Sequence, residues 1–262
     1  MDEQTVLIIG ASRGIGLELT NQYCSSLKIT KVIATCRKLT KNLSSLQEKF
    51  SKKLAILENF DVSNDTIVER LKFDENERLN MKSMKVEDFP IGIKIDVCIY
   101  NSGVFELDRE SGISRIDFDS CLEKFQVNAL GAIRVAKGIE KYLKENSKFI
   151  AISSKYGSIG SIDVDNEKPT DLIYSYRMSR AALNISMRTL AAEFKNNNRN
   201  IIVGLIFPGL VDTDMLRAVF KCVAQSPEQA VKKIIATVEG VFSQKENSGC
   251  FYDSTNGEKI EW

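Results

Sequence analysis

The chain has 262 residues, 43% of them hydrophobic, enough to bury a sizeable core, and Lys+Arg 36 against Asp+Glu 35 leaves a net charge of +1. A balance this close to neutral, with basic residues scattered along the chain, offers no electrostatic footprint for nucleic acid or an anionic membrane surface. Histidine is absent altogether, which excludes every His-dependent triad and argues against a transition-metal site, so acid–base chemistry falls to Tyr, Lys, Asp, Glu or Cys. Cys24, Cys36, Cys98, Cys121, Cys222 and Cys250 form no C-x-x-C pair and several lie in apolar runs, the pattern of free thiols in a reducing compartment. The apolar runs fall far short of a membrane span and the N-terminus has no signal-peptide layout, so a soluble, cytoplasmic protein is expected.

Val6 to Ile9 form a short, β-branched apolar run that passes through Gly10-Ala11-Ser12-Arg13-Gly14-Ile15-Gly16 into an amphipathic segment over 17–27. This order is strand, glycine-rich turn, helix. A helix N-terminus presents free N–H groups and a positive dipole end to a phosphate, and glycines let the phosphate come close. Further strands are expected over 31–36, 54–60 and 95–100, each apolar on both faces, with helical periods over 39–52 and, weakly, 66–72. Residues 73–90 are polar and aperiodic and read as an elaborated surface connection. Asp119 or Ser120 is placed to cap a long helix over 121–143, apolar at Leu122, Phe125, Ala129, Ile133, Ala136 and Ile139. Within it, Asn128 followed by Gly131 suggests a kink where the side chain or the main-chain carbonyl of Asn128 orders a water. A fifth strand over 148–153, a helix over 174–195, a sixth strand over 201–207 and a helix from the Ser226 cap and Pro227 to about 241 come next. The tail supplies a seventh strand and a turn at Asn256-Gly257. No linker, low-complexity run or repeat divides the chain. The expectation is a single α/β domain over 1–262, a Rossmann fold with a doubly wound, seven-stranded parallel sheet and helices on both faces.

Gly10, Gly14 and Gly16 have the spacing G-x-x-x-G-x-G and not G-x-G-x-x-G. This resembles the cofactor loop of the short-chain dehydrogenase/reductase family, and the resemblance continues in order along the chain. In such a fold an acid after strand two accepts from the ribose 2′-OH of NAD; here Cys36-Arg37-Lys38, with Arg13 in the glycine loop, suits the 2′-phosphate of NADP(H). Asp61-Val62 resembles the adenine-contacting pair. Asn101-Ser102-Gly103 resembles the N-A-G element that closes over the cofactor, with Ser102 standing for the alanine and Tyr100 for a preceding asparagine. Asn128 looks like the family's structural and catalytic asparagine, and Ser154 like its catalytic serine, whose hydroxyl stabilises the oxygen of the reacting carbonyl.

The family's Tyr-x-x-x-Lys pattern admits two registers in Y-S-Y-R-M-S-R. Tyr174 pairs with Met178, which is chemically empty; Tyr176 pairs with Arg180 at i, i+4 and suits the A-A-L-N that follows. In the family the tyrosine is the general acid, and a cation beside it brings its pKa down from about 10. Arg180 supplies the charge but does not readily release a proton, and its planar fork is larger than lysine. Pro208-Gly209-Leu210-Val211-Asp212-Thr213 resembles the P-G-x-V-x-T element holding the nicotinamide carboxamide. By this resemblance the cofactor contacts are Gly10, Ser12, Arg13, Gly14, Ile15, Gly16, Arg37, Asp61, Val62, Asn101, Ser102, Gly103, Tyr176, Arg180, Pro208, Gly209, Val211 and Thr213, and the catalytic residues are Asn128, Ser154, Tyr176 and Arg180. A lid over 212–226, apolar at Met215, Leu216, Val219 and Phe220, follows, and the stretch 155–175 is longer than the compact family pattern.

The A-T-C-R strand end, that long stretch and the closing G-E-K-I-E-W resemble the carbonyl-reductase (C-factor, sniffer-like) branch. The resemblance implies an NADPH-dependent reductase of a small aldehyde or ketone, with no nucleic-acid, membrane or metal partner, and it leaves monomer, homodimer and homotetramer open. Two alternatives stand beside it. One is a cofactor-binding homologue that has lost turnover and serves as a regulatory or signalling protein, which Arg180 favours. The other is a Rossmann methyltransferase, which shares the glycine loop but leaves Tyr176 and Pro208-Gly209 without a purpose.

Overall fold

Val6, Leu7, Ile8 and Ile9 are all fully buried in the first strand, β1 (Thr5–Ile9), yet successive residues face different cores. Val6 and Ile8 pack with Val32, Ala34 and Ile99, whereas Leu7 and Ile9 pack with Ile33, Cys98 and Tyr100. Side chains alternate across a strand, so a strand apolar at every position must be covered on both sides. The structure, a computed structural model, describes residues 4–71, 93–105, 113–162, 173–218 and 222–262.

Six further strands join β1: β2 (Lys31–Thr35), β3 (Leu54–Leu57), β4 (Ile95–Tyr100), β5 (Leu143–Ile152), β6 (Ile202–Phe207) and β7 (Cys250–Asp253). They form one seven-stranded sheet in the order β3-β2-β1-β4-β5-β6-β7, every pairing parallel. One face is covered by α1 (Gly14–Ser25), α2 (Lys41–Lys49) and the late helix Pro227–Glu239, through Leu19, Tyr23, Leu43, Val231, Ile234 and Val238. The other is covered by α3 (Ile67–Arg70) and, beyond α4 (Phe118–Phe125), by α5 (Gly131–Ile139) and α6 (Tyr174–Asn196), with Ile67, Val135, Ile139, Leu183 and Met187 in its core. α4 packs beside α6 with only Lys124 buried and leaves Phe118 and Leu122 exposed. Among the described residues the remaining α-helices are α7 (Asp214–Arg217) and, in chain order, α8 for Pro227–Glu239. This is the doubly wound Rossmann arrangement. Strand order reverses between β1 and β4, and the loops leaving those two strands open a crevice there.

Several boundaries differ from the sequence reading. The cap of α4 is Asp117, neither Asp119 nor Ser120: its carboxylate accepts from the N–H groups of Asp119 (3.0 Å) and Ser120 (3.3 Å), and the helix begins at Phe118. The helix expected over 121–143 is three pieces. A π turn, Gln126–Leu130, separates α4 from α5, and a 3-10 turn at Glu140–Tyr142 leads directly into β5, which starts at Leu143 because that residue pairs with Ile95. The kink expected at Asn128 is therefore an inserted wider turn. The first helix begins at Gly14, earlier than expected, because the glycine loop itself winds into its first turn. The third strand ends at Leu57, and Asn59 turns the chain with φ 54°. Ser226 caps α8 in a reciprocal capping box with Gln229, and Gly257 turns the tail with φ 78°. All six cysteines are unpaired, with Cys24, Cys36 and Cys98 buried. The connection expected over 73–90 and residues 163–172 of the long stretch before Tyr176 lie outside the described residues. No helix among the described residues is long and apolar enough to cross a membrane.

Candidate active site

The glycine loop packs against the end of β4 without room for side chains. Gly10 has φ 88°, and a Cβ there would stand 2.5 Å from the Ser102 hydroxyl. A Cβ on Gly16 would overlap the Gly10 carbonyl, so Gly16 lets the helix pack onto the loop from behind the cavity. Asn101 ties the two loops together by donating from Nδ2 to the Gly10 carbonyl at 2.8 Å. Arg13 occupies the N-cap position of α1 without a side-chain cap bond, so the first turn of α1 presents its N–H groups to the crevice.

A cavity starts at this helix end and runs along the C-terminal edge of the sheet. Ser12, Arg13, Gly14 and Ile15 line its beginning, and Cys36 and Arg37 its rim, with both arginines exposed. Burial, reinforced by Glu58, pushes the Cys36 thiol up to about 11, so it is neutral and not a nucleophile. Asp61 and Val62 follow on the wall; the Asp61 carboxylate accepts from the N–H (3.0 Å) and hydroxyl (2.8 Å) of Ser63. Asn101, Ser102 and Gly103 form the floor at the switch point.

At the far end the strand β5 delivers Ser154, whose hydroxyl accepts from the N–H of Tyr156 at 3.2 Å. Tyr176 is buried, packed against Phe105 with the ring planes tilted by 42° and the centroids 4.3 Å apart, and met edge-on by Tyr156 at 6.1 Å. The Arg180 guanidinium lies over the Tyr176 ring, 5.0 Å from its centroid, and Nη1 donates to the Ile152 carbonyl at 3.1 Å. Arg180 is 5% exposed, and among the described residues it forms no ion pair with a carboxylate and its Nε has no hydrogen-bond partner. A buried cation in that condition is poised for an acceptor entering the cavity. Tyr174 and Met178 do not line the cavity, and Met178 is half-exposed, so the structure brings together the Tyr176 and Arg180 register.

Asn128 stands behind the wall. Its Oδ1 accepts from the Val104 N–H (2.8 Å), and its Nδ2 donates to the Val104 carbonyl (3.0 Å) and the Ser179 hydroxyl (2.9 Å). Both amide hydrogens are thus used within the protein, and the side chain does not reach the cavity. Pro208, Gly209 and Val211 close the opposite side, and Thr213 caps α7, from which Met215 and Leu216 face the cavity. Val219 and Phe220 lie outside the described residues.

The sequence pattern of the family described as short chain dehydrogenase matches residues 4–223. The chain belongs to the short-chain dehydrogenase family. The 1-hydroxy-2-glutathionyl-2-methyl-3-butene dehydrogenase of Rhodococcus sp. (strain AD45) is 26% identical over 259 residues, covering 98% of this chain and 99% of its own. Among solved structures, carbonyl reductase Sniffer of D. melanogaster superposes with a TM-score of 0.80 at 22% identity, and the NADPH-bound carbonyl reductase from chicken fatty liver with 0.79 at 21%, each over 100% of both chains.

In this short-chain dehydrogenase several residues that shape the site gave no signal along the chain. Asn184 accepts from the Ser153 hydroxyl (2.7 Å) and donates to the Gly157 carbonyl (3.0 Å), fixing the turn that follows Ser154. Lys155 pairs with Asp253 at 2.7 Å and anchors the same turn to β7. Gln225 donates to the Pro208 carbonyl (2.7 Å) and bridges Leu210 and Asp212 through its main chain, holding the Pro208-Gly209 loop. Phe105 and Tyr156, which wall the reacting end, are ordinary aromatic residues in sequence. Each becomes visible only when strands distant along the chain lie side by side.

Proposed function

We propose that this short-chain dehydrogenase is an NADP(H)-dependent reductase of a small aldehyde or ketone. The observation that carries the reading is the grouping of Ser154, Tyr176 and Arg180 at one end of a cavity whose other end is an uncapped helix N-terminus flanked by Arg13 and Arg37. The fit to a phosphorylated dinucleotide rests on that helix end, on the glycine cradle, and on two exposed cations with no acid at the end of β2. Gly10, Ser12, Gly14 and Ile15 would hold the pyrophosphate, Arg13 and Arg37 the 2′-phosphate, and Asp61 and Val62 the adenine. Asn101, Ser102 and Gly103 would floor the nicotinamide half, against Pro208, Gly209, Val211 and Thr213. The nicotinamide, when bound, supplies the hydride.

The protein's own groups do the rest. The Ser154 hydroxyl orients the carbonyl oxygen and donates to it as negative charge develops. Tyr176 gives its proton to that oxygen. Arg180, from over the ring, stabilises the charge left on Tyr176. Asn128 acts through others, holding Val104 in the wall and Ser179 between Tyr176 and Arg180 on α6. Phe105, Tyr156, Met215 and Leu216 give the acceptor end aromatic and apolar walls, suited to a carbonyl compound with an apolar substituent, and α7 serves as part of a lid over 212–226. Six unpaired cysteines accord with a reducing, cytoplasmic setting.

Arg180 favours one second reading, an NADP(H)-binding homologue without turnover that acts in regulation, because arginine does not relay protons as lysine can. NADPH consumption across aldehydes, ketones, diketones and quinones, with Tyr176→Phe alongside, separates the two. Turnover that disappears in Tyr176→Phe while NADPH still binds is the expected result. Binding without turnover on any carbonyl would replace the reductase by the regulatory reading.

A further inference from the structure

Tyr100, the last residue of β4, is fully buried and takes no part in the cavity. Its hydroxyl donates to the main-chain carbonyl of Val127, inside the π turn that interrupts the α4–α5 helix. The reason that carbonyl welcomes a donor lies in the turn itself. Gly131 donates its N–H to the carbonyl of Gln126, five residues back. In an α-helix the same N–H would go to Val127, four residues back. The wider turn takes that donor away from Val127, and the Tyr100 hydroxyl takes its place.

Gly131 completes the arrangement from the other side. A Cβ there would overlap the Tyr100 hydroxyl and stand 3.0 Å from the Val62 side chain. The next residue after Val127 is Asn128, whose amide fixes Val104 in the cavity wall and Ser179 on α6. Removing one residue from the turn would swing Asn128 by about 100° around the helix axis, away from both.

We propose that the Tyr100 hydroxyl sets the π turn and is thereby a positioning residue for Asn128 and for the wall at Val104 beside Tyr176 and Arg180. The kinetic part of this inference rests on the reductase reading; the structural part does not. A hydrogen bond made in a dry interior holds its geometry strongly, and the alternative here, an α turn that returns the Gly131 N–H to the Val127 carbonyl, leaves the buried Tyr100 hydroxyl to find another partner.

Tyr100→Phe keeps the ring and deletes only the donor. Hydrogen exchange by mass spectrometry on peptides covering 126–131 of the full chain, measured together with kcat, the carbonyl KM and the NADPH Kd, tests the proposal. The expected result is exchange about tenfold faster in the turn and kcat about tenfold lower, with the NADPH Kd unchanged within about twofold. Gly131→Ala approaches the same hydroxyl from the opposite side and carries the test if Tyr100→Phe does not fold. It should speed the same exchange in the wild-type background and add little in Tyr100→Phe. Unchanged exchange in the folded variants overturns the proposal, as does faster exchange with kcat untouched, since the turn would then position nothing that the reaction uses. A wild type that reduces no carbonyl would sink the reductase reading, and the exchange comparison alone would then decide whether the hydroxyl sets the turn.

Discussion

Replacing Arg180 by methionine should leave the fold nearly as stable and cost most of the activity, and the structure supplies the magnitudes. The guanidinium is 5% exposed, with one carbonyl acceptor and the Tyr176 ring for company. A charged hydrogen bond contributes about 1.5–3 kcal/mol, and a desolvated cation–π contact about 2 kcal/mol. Against these stands a desolvation penalty of several kcal/mol for a buried ion that has no counter-charge among the described residues, so the net contribution to folding is close to zero. Arg180→Met should therefore shift unfolding by less than about 1.5 kcal/mol, a few degrees in Tm for a chain of this size. The effect on rate is different in kind. Taking the ring centroid, 5.0 Å from the guanidinium carbon, as the mean position of charge on the ionised Tyr176, Coulomb's law at an effective dielectric of about 20 gives about 3 kcal/mol, or roughly 200-fold in rate. Arg180→Lys, which keeps the charge, should recover most of it. Thermal unfolding and saturated NADPH-consumption rates on the same preparations check both halves. A methionine variant within about fivefold of wild type would refute the electrostatic role. One losing more than about 3 kcal/mol of stability would show that Arg180 is a structural brace, with the activity loss a by-product.

Two further expectations concern the ends of the site. Arg37→Glu places an acid where a 2′-phosphate would lie, so it should weaken NADPH binding by about tenfold or more and spare or improve NADH binding; equal losses for both in a fluorescence titration would contradict the assignment. Asp253 is buried; burial pushes its carboxyl up, but the Lys155 ammonium at 2.7 Å and the hydroxyl and N–H of Thr255 outweigh this and hold it below the ordinary value. Its folded-state pKa is thus the lower one, so the carboxylate contributes stability that is complete above about pH 4 and is lost as the pH falls through the folded value. The stability difference between wild type and Asp253→Asn should accordingly shrink in that acid range, and urea titrations showing the same difference at every pH would refute this.

The strands, their number, the parallel doubly wound sheet and the placing of the cofactor loop were legible because they are written in local pattern. Runs apolar on both faces demand cover on both faces, and Gly10 and Gly16 are demanded by backbone approaching within van der Waals contact of backbone. Ser226 followed by Pro227 announces a helix start over two residues. The i, i+4 spacing brought Tyr176 and Arg180 into view as a pair, and burial of Tyr176 and Arg180 beside an exposed Met178 is what a tertiary contact adds to it. Other features were out of reach of the chain read as a line. Asp117 in place of Asp119 or Ser120 as the cap depends on which carboxylate the folded turn brings round, and the π turn depends on a hydroxyl 27 residues earlier in the sequence. Asn184 reaches Ser153, Gln225 reaches Pro208 and Lys155 reaches Asp253 only because β4, β5, β6 and β7 lie side by side in that order. Hydrophobic period, glycine spacing and caps act over a few residues, and by themselves they determined the architecture and the kind of site. The buried polar contacts that fix where Ser154, Asn128 and Arg180 stand join residues far apart along the chain, and only the packed sheet, which excludes water and leaves each polar group to find a partner, decided them.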